Sequence, residues 1–481
     1  MRINSTMTAV GLVLALATMA SVPAFAANLT DDQSASIGAN GTDGTLALPN
    51  GGPGGTVPPA VASSTFPADT TNDPSNTDIA IGGRGGNGGN GFNGVTGGNA
   101  GQGGFGGNAI AIAATSSPTP TSTPATAIAI GGTGGNAGTA GTGAPNGLGA
   151  NGGQGGQANA SGSYFNTSDT TDVTVQSTAI GGGGGIGSGL TGMGGTGGTA
   201  QATGNGVAGT ANVTVSATQI GGAGGAGVVS PVSGPGAGGN GAFSFMNAQV
   251  NGDTTGVLNL DQTSIGGNGG DAAATAAAGA GGGAISNLGF TNNNASTINA
   301  NLVAVGGKGG NSNAAPGIGG LATTNAGITG AHNVNVNTTM RGGAGGDATT
   351  APGVDGVSLN SSLIGNSAFG SSTGNGTVNV AATQIGGQGG NSPVQAGNGG
   401  ISFLSNTVNG DTTGMLSLAQ IAIGGNAGDV TSGTGTTGFG GACISNEAVT
   451  NNNANVLNLA SIAIGGAGSN VQGIGTGGLG G

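Results

Sequence analysis

The chain repeats itself, and the repeat limits its folds more than any other feature. A glycine pair follows Ile81, Ile130, Ile180, Ile220, Ile265, Val305, Arg341, Ile385, Ile423 and Ile464, at intervals of 36 to 50 residues. Periods of this size belong to chains that stack one small unit on the next. A single unit carries too few aliphatic side chains to offset the conformational entropy lost on folding, and glycine loses more than other residues. The units are therefore expected to fold only against one another.

Reading back from each glycine pair exposes a strand. Seven and five residues before the residue that precedes the pair stand Val173 and Val175, Val213 and Val215, Leu258 and Leu260, Ile298 and Ala300, and so on to Leu457 and Leu459. Two residues before that same position, Thr178, Thr218, Thr263, Val303, Thr339, Thr383, Ile421 and Ile462 form a second column. Alternation rich in β-branched residues predicts a β-strand of about eight residues. The early pair and the last Ile have opposite parity, so they face opposite sides of a continuous strand. Both sides are then covered, or a bulge intervenes. The repeat positions Ile180, Ile220, Ile265, Val305, Ile385, Ile423 and Ile464 are the structural site residues that the pattern singles out.

A further apolar run precedes several of these strands, separated from them by polar turns such as "NGDTTG", which predicts hairpins. The second half of each unit is glycine-rich. Without Cβ atoms, such segments can pack backbone to backbone in a polyproline-II-like conformation. The expected fold class is all-β: repetitive stacked hairpins or a β-solenoid with polyglycine-II-like segments.

A longer period lies above the first. "VNGDTTGVLNLDQTSIGGNGG" from Val250 is rewritten as "VNGDTTGMLSLAQIAIGGNAG" from Val408, 158 residues on. "AISNLGFTNNN" from Ala284 returns as "CISNEAVTNNN" from Cys443. The chain therefore divides into a leader over 1–26, a Pro/Ser/Thr-rich linker over 27–77 and degenerate Gly-rich repeats over 78–163. A four-unit block follows over 164–326, and its duplicate over 327–481. The leader has Arg2, the apolar run Ala9–Val22 and "AFA" at 24–26, the pattern of a secretory signal cleaved after Ala26. The protein is thus expected to be exported, extracellular or on the cell surface, with no transmembrane segment in the mature chain.

Only four Lys or Arg face sixteen Asp and Glu, too few to neutralise phosphates, so nucleic acid and anionic lipid are not expected partners. Cys443 is the only cysteine and cannot form an internal disulfide; its counterpart in the first block is Ala284. His332 is the only imidazole, read as a solvent-facing turn residue. It leaves no zinc set and no Ser–His–Asp system. Asp271 and Asp347 follow glycines in a pattern partly similar to the calcium-binding nonapeptide, which does not iterate at nine residues here. Asp253 and Asp411 in "NGDTTG" are read as turn residues bonding their own backbone. No catalytic, cofactor-binding or metal residues are assigned, and no cofactor is expected.

"GGRGGNGGNGFNG" at 82–94 and "GGNGG" at 266–270 resemble the PGRS-type glycine-rich repeats of mycobacterial surface proteins, and are similar to glycine-rich sandwiches of some phage adhesins. The resemblance covers the Gly-rich halves only; the PE domain of the mycobacterial family is missing. It implies a cell-envelope location and contact with other cells. A weaker similarity links "NGTVNVAATQIGG" to curlin-like subunits, without their regular Gln/Asn rungs. The expected function is a secreted, non-enzymatic structural or adhesive protein of the bacterial surface or extracellular matrix, making self-association or cell-surface and glycan contacts. The alternatives are a self-assembling amyloid-like fibre subunit and an ice- or glycan-binding module.

Overall fold

The computed structural model describes residues 29–66, 76–116, 124–361, 367–449, 453–472 and 476–481; the leader lies outside them. Among the described residues there are 27 elements, all β-strands, and they form five sheets. The largest sheet has eleven strands, in order Leu29–Ser34, Asn76–Ile81, Ala125–Ile130, Val173–Ile180, Val213–Ile220, Val257–Ile265, Thr297–Val305, Asn333–Arg341, Val378–Ile385, Met415–Ile423 and Val456–Ile464. Each pairs in parallel with its counterpart one repeat away, Val213 beside Val173 and Leu258, for example. Eleven strands at ~4.8 Å make a sheet about 50 Å long.

This arrangement overturns the expected stacks of hairpins. The two apolar runs of a unit do not lie side by side in one sheet; they face each other from two layers. Val250–Asp253 belongs to the second layer, where it pairs in parallel with Gly204–Val207 of the preceding repeat. Thr254–Gly256 then carries the chain across to Val257–Ile265. The local reason is the threonine: Thr254 Oγ1 donates to the Ala211 carbonyl of the rung before and accepts the Gly256 N–H at 2.9 Å, so the turn bonds along the stack. Asp253 also departs from expectation. Its Oδ1 accepts from Asn292 Nδ2 at 2.8 Å and Asn294 Nδ2 at 3.0 Å in the next rung, and Asp411 does likewise with Asn453 at 2.9 Å.

The second layer is broken into shorter parallel sheets, one carrying Ala60–Phe66, Ala109–Ser116, Ala158–Asn166, Ala200–Ala208 and Val250–Asp253. The breaks come at Ala248 and Asn406, 158 residues apart, where φ is +51° and +49°. Just beyond each break, a leucine of the long sheet packs onto a glycine of the second layer. A Cβ on Gly252 would sit 2.7 Å from Leu258 Cδ1, and one on Gly410 would sit 2.7 Å from Leu416 Cδ1. The duplication is thus kept in the packing as well as in the letters.

The segment 27–77 is not a linker where it is described. Leu29–Ser34 pairs with Asn76–Ile81, and Ala60–Phe66 pairs with Ala109–Ser116, so 29–66 supplies the first rung. Residues 78–163 continue both layers in the same register.

Beyond the strands, the glycine-rich halves form a lattice with a three-residue step. Gly85, Gly88 and Gly91 donate to Thr133, Asn136 and Thr139 of the next rung at 2.8–2.9 Å. In the other layer the chain returns, and Gly101, Gly104 and Gly107 donate to Gly89, Gly86 and Gly83, each at 2.8 Å. Gly132, Gly135 and Gly138 of the following rung then donate to Gly107, Gly104 and Gly101. Three residues per turn without internal hydrogen bonds is the polyproline-II geometry, which sends successive backbone groups in different directions. At the strand end, by contrast, side chains separate the layers.

Candidate functional site

The functional candidate is the outer face of the eleven-stranded sheet, because that face repeats most regularly. Strand alternation sorts the side chains. In Thr297–Val305 the residues Ile298, Ala300, Leu302 and Ala304 are buried, while Thr297, Asn299, Asn301, Val303 and Val305 face outward and are half-buried. All seven repeat positions lie on the outer face in a single file. Ile180 pairs with Ile220, Ile220 with Ile265, and Ile265 with Val305. After Arg341, the file runs on through Ile385, Ile423 and Ile464. The early pair faces the core, with Val213 and Val215 fully buried. Opposite parity therefore means one covered face and one half-open face, with neither a bulge nor a second cover.

Beside the aliphatic file runs the second column, with Thr178, Thr218, Thr263, Thr339 and Thr383 interrupted by Val303, Ile421 and Ile462. Farther along each strand lies an amide ladder that the sequence reading did not single out. Asn259 Nδ2 donates to Thr214 Oγ1 at 3.1 Å, and Asn299, Asn335 and Asn379 each donate to the preceding asparagine Oδ1 at 2.7 Å. Asn458 donates to Ser417 Oγ at 3.3 Å. The signal was in the sequence, since each of these asparagines sits midway between the two apolar residues of the early pair. Between ladder and threonine column, the short side chains of Ala381, Ala419 and Ala460 leave a shallow trough of about 460 Å³.

The acids do not gather on this face. Asp261, in line with Asn301, has its carboxyl pushed up by burial and partly held down by the Asn301 hydrogen bond. Asp271 and Asp347 stand in a column of the glycine lattice with Asn311 between them. Asp271 Oδ1 accepts the Asn311 N–H at 2.7 Å, Asn311 Oδ1 accepts that of Asp347 at 2.9 Å, and Asp347 Oδ1 accepts that of Asn391 at 2.7 Å. The column continues through Asp429 and Asn470. Here the side chain at the third position of a glycine triplet caps the one N–H that points out of the lattice. Asn40, Asn87 and Asn136 do the same in the first rungs, at 3.0 Å each.

Asp347 is also paired with Lys308 Nζ at 2.7 Å. Among the described residues, no three His, Cys, Asp or Glu side chains gather as a metal site would require. His332 is exposed in the bend before Asn333–Arg341, and Cys443 is half-buried at the start of Cys443–Asn446, where its counterpart Ala284 is fully buried. Among the described residues, no helix is long and apolar enough to cross a membrane. Comparison with protein families, with curated proteins and with solved structures finds no match.

Proposed function

We propose that the chain is an exported, non-enzymatic structural or adhesive protein of the bacterial surface or extracellular matrix. The observation that carries this reading is the cross-bonding of every rung to its neighbours. Strands, glycine triplets and the asparagine side chains all direct their hydrogen bonds along or across the stack, which builds a stiff plate with a periodic polar and aliphatic face. The resemblance of the glycine-rich segments to PGRS-type surface repeats points the same way. The leader is the segment to test first. Expressed in a secreting bacterium, the chain is expected outside the cell or on its surface, with Ala27 as the first residue on N-terminal sequencing. Retention in the cytoplasm with Met1 intact would overturn the reading.

One observation favours a second reading, a self-assembling fibre subunit. Val456–Ile464 ends the long sheet and is exposed at all nine positions. An open strand edge is a template for another strand. Purified protein kept for days at neutral pH is then expected to form fibrils with a spacing of about 4.7 Å along the axis. Persistent monomers by light scattering would dismiss this second reading and leave the first standing.

A further inference from the structure

The break in the second layer at Ala248 opens a pocket away from the periodic face. The strand Ala200–Ala208 pairs with the next rung only through Gly204–Val207. Upstream of that point the next rung, Ser244–Asn247, leans away and pairs with Ala284–Asn287 on its other side. The gap between the two strands is a pocket of about 550 Å³, within the range of small-ligand sites.

Its lining combines an aromatic wall with buried amide groups. Phe243 and Phe245 form one wall, with ring centroids 6.5 Å apart and planes 19° from parallel. Both rings are about half exposed, in a chain with eleven Phe, one Tyr and no Trp. The Phe243 ring has room because it lies over Gly283, where a Cβ would come within 2.8 Å of Cε2. Gln201 and Asn159 line the pocket as well. Gln219 reaches it from the inner face of the long sheet; it is 2% exposed, and its Nε2 donates to the Phe245 carbonyl at 3.3 Å. That leaves Gln219 Oε1 buried with no hydrogen-bond donor. Gln249 Oε1 is in the same state, while its Nε2 donates to the Asn247 carbonyl at 2.8 Å. A buried acceptor without a donor is costly, and the two glutamines that carry them both line this pocket.

The duplicated block shows that the repeat does not require this. At the matching place Gln384 Oε1 accepts from Ser402 Oγ at 2.9 Å, Ile401 replaces Phe243, and Leu359–Asn360 pairs with Ser402–Phe403, which closes the gap.

We infer that this pocket binds a neutral saccharide. The two rings offer a flat apolar wall for the C–H face of a pyranose, and the two amide oxygens await hydroxyl donors. Among the described residues no ionisable side chain lines the pocket, so none of them selects a charged ligand. The inference goes beyond the structural reading and stands on the pocket alone, since a plate that binds no sugar is still a plate.

The test titrates the full chain with methyl glycosides and short neutral oligosaccharides of glucose, galactose, mannose and N-acetylglucosamine. Saturation-transfer NMR and calorimetry report binding. Saturable binding of at least one of them is expected, with contacts from the ring C–H protons. It should weaken about fivefold to tenfold in Phe245→Ala and be unchanged in Phe403→Ala, the matching position of the second block. Phe245 is exposed, so an unchanged melting temperature certifies the fold of that variant. Gln219→Met, which removes the buried acceptor, should weaken binding as well. The inference is overturned by silence from the whole panel at about 10 mM, or by binding that survives both Phe245→Ala and Gln219→Met.

Discussion

Asn335 donates its amide N–H to Asn299 Oδ1 at 2.7 Å and accepts the same bond from Asn379, also at 2.7 Å. Its side chain therefore serves as both donor and acceptor between rungs. Asn335→Asp keeps the shape and the acceptor but loses the donor, and sets a carboxylate against the Asn299 oxygen. A loss of roughly 0.5–1.5 kcal/mol is expected, read from the midpoint of denaturant unfolding at pH 7. Asn379→Asp should cost a similar amount, and the double variant more than the sum, since neighbouring carboxylates repel.

The glycine lattice makes a sharper demand. A Cβ on Gly153 would lie 1.8 Å from the Gly104 carbonyl oxygen, whereas the adjacent Gln154 side chain is exposed. Gly153→Ala must push the facing backbone layers apart, and a loss of about 3 kcal/mol or more is expected. Gln154→Ala should stay within about 0.5 kcal/mol of the parent. Thermal unfolding of the two variants side by side checks the contrast. Equal melting temperatures would mean that the glycine segments are not packed as described.

Tyr164 donates its hydroxyl to Asp169 Oδ2, and both residues are fully buried. Burial first, and then the bond to Asp169, push the phenol well above its usual range. Asp169 Oδ1 is held by the Thr171 N–H at 3.1 Å and Thr171 Oγ1 at 2.8 Å. In Tyr164→Phe one carboxylate oxygen keeps its partners and the other loses its hydroxyl donor in the core. A destabilisation of about 1–3 kcal/mol is expected, measured by urea unfolding.

Burial raises the pKa of the Asp261 carboxyl and of Glu447, the latter eased by the backbone N–H groups of Val408 and Thr407. The folded state holds these protons more tightly than the unfolded chain. Stability from this source rises as pH falls through the window between the folded value and the unfolded value of about 4, and is missing at neutral pH. Asp261→Asn removes the Asp261 contribution to that dependence. It is expected to raise the melting temperature by about 1–2 °C at pH 7 and to leave it unchanged near pH 3.5. A gain of the same size at both pH values would show that the effect is not one of protonation.

The repeat could be read from the sequence because Ile180, Ile220, Ile265, Ile385, Ile423 and Ile464 keep one register and that register is the strand pairing itself. What could not be read was how the two strands of a unit relate. "NGDTTG" between apolar runs looks the same whether it reverses a chain within a sheet or carries it between layers. Only the bond from Thr254 to Ala211, 43 residues back, separates the two. The first rung was lost for another reason. Gly38, Gly41 and Gly44 keep the three-residue step without the paired glycines of later rungs, and Asp43 among them and Pro49 and Pro53 after them gave the stretch a linker's composition. The saccharide pocket had no local sign either, because it exists only where two rungs fail to pair.

The breaks at Ala248 and Asn406 recur 158 residues apart together with the Leu–Gly contacts around them. A four-rung block bounded at each end by such a break is a module of fixed thickness. Adding one would extend the plate by about 20 Å at ~4.8 Å per strand, and every joint so formed already exists in the molecule. Such a chain can lengthen in whole steps by duplicating a block, like the courses of a wall, with no new surface to be invented at any step.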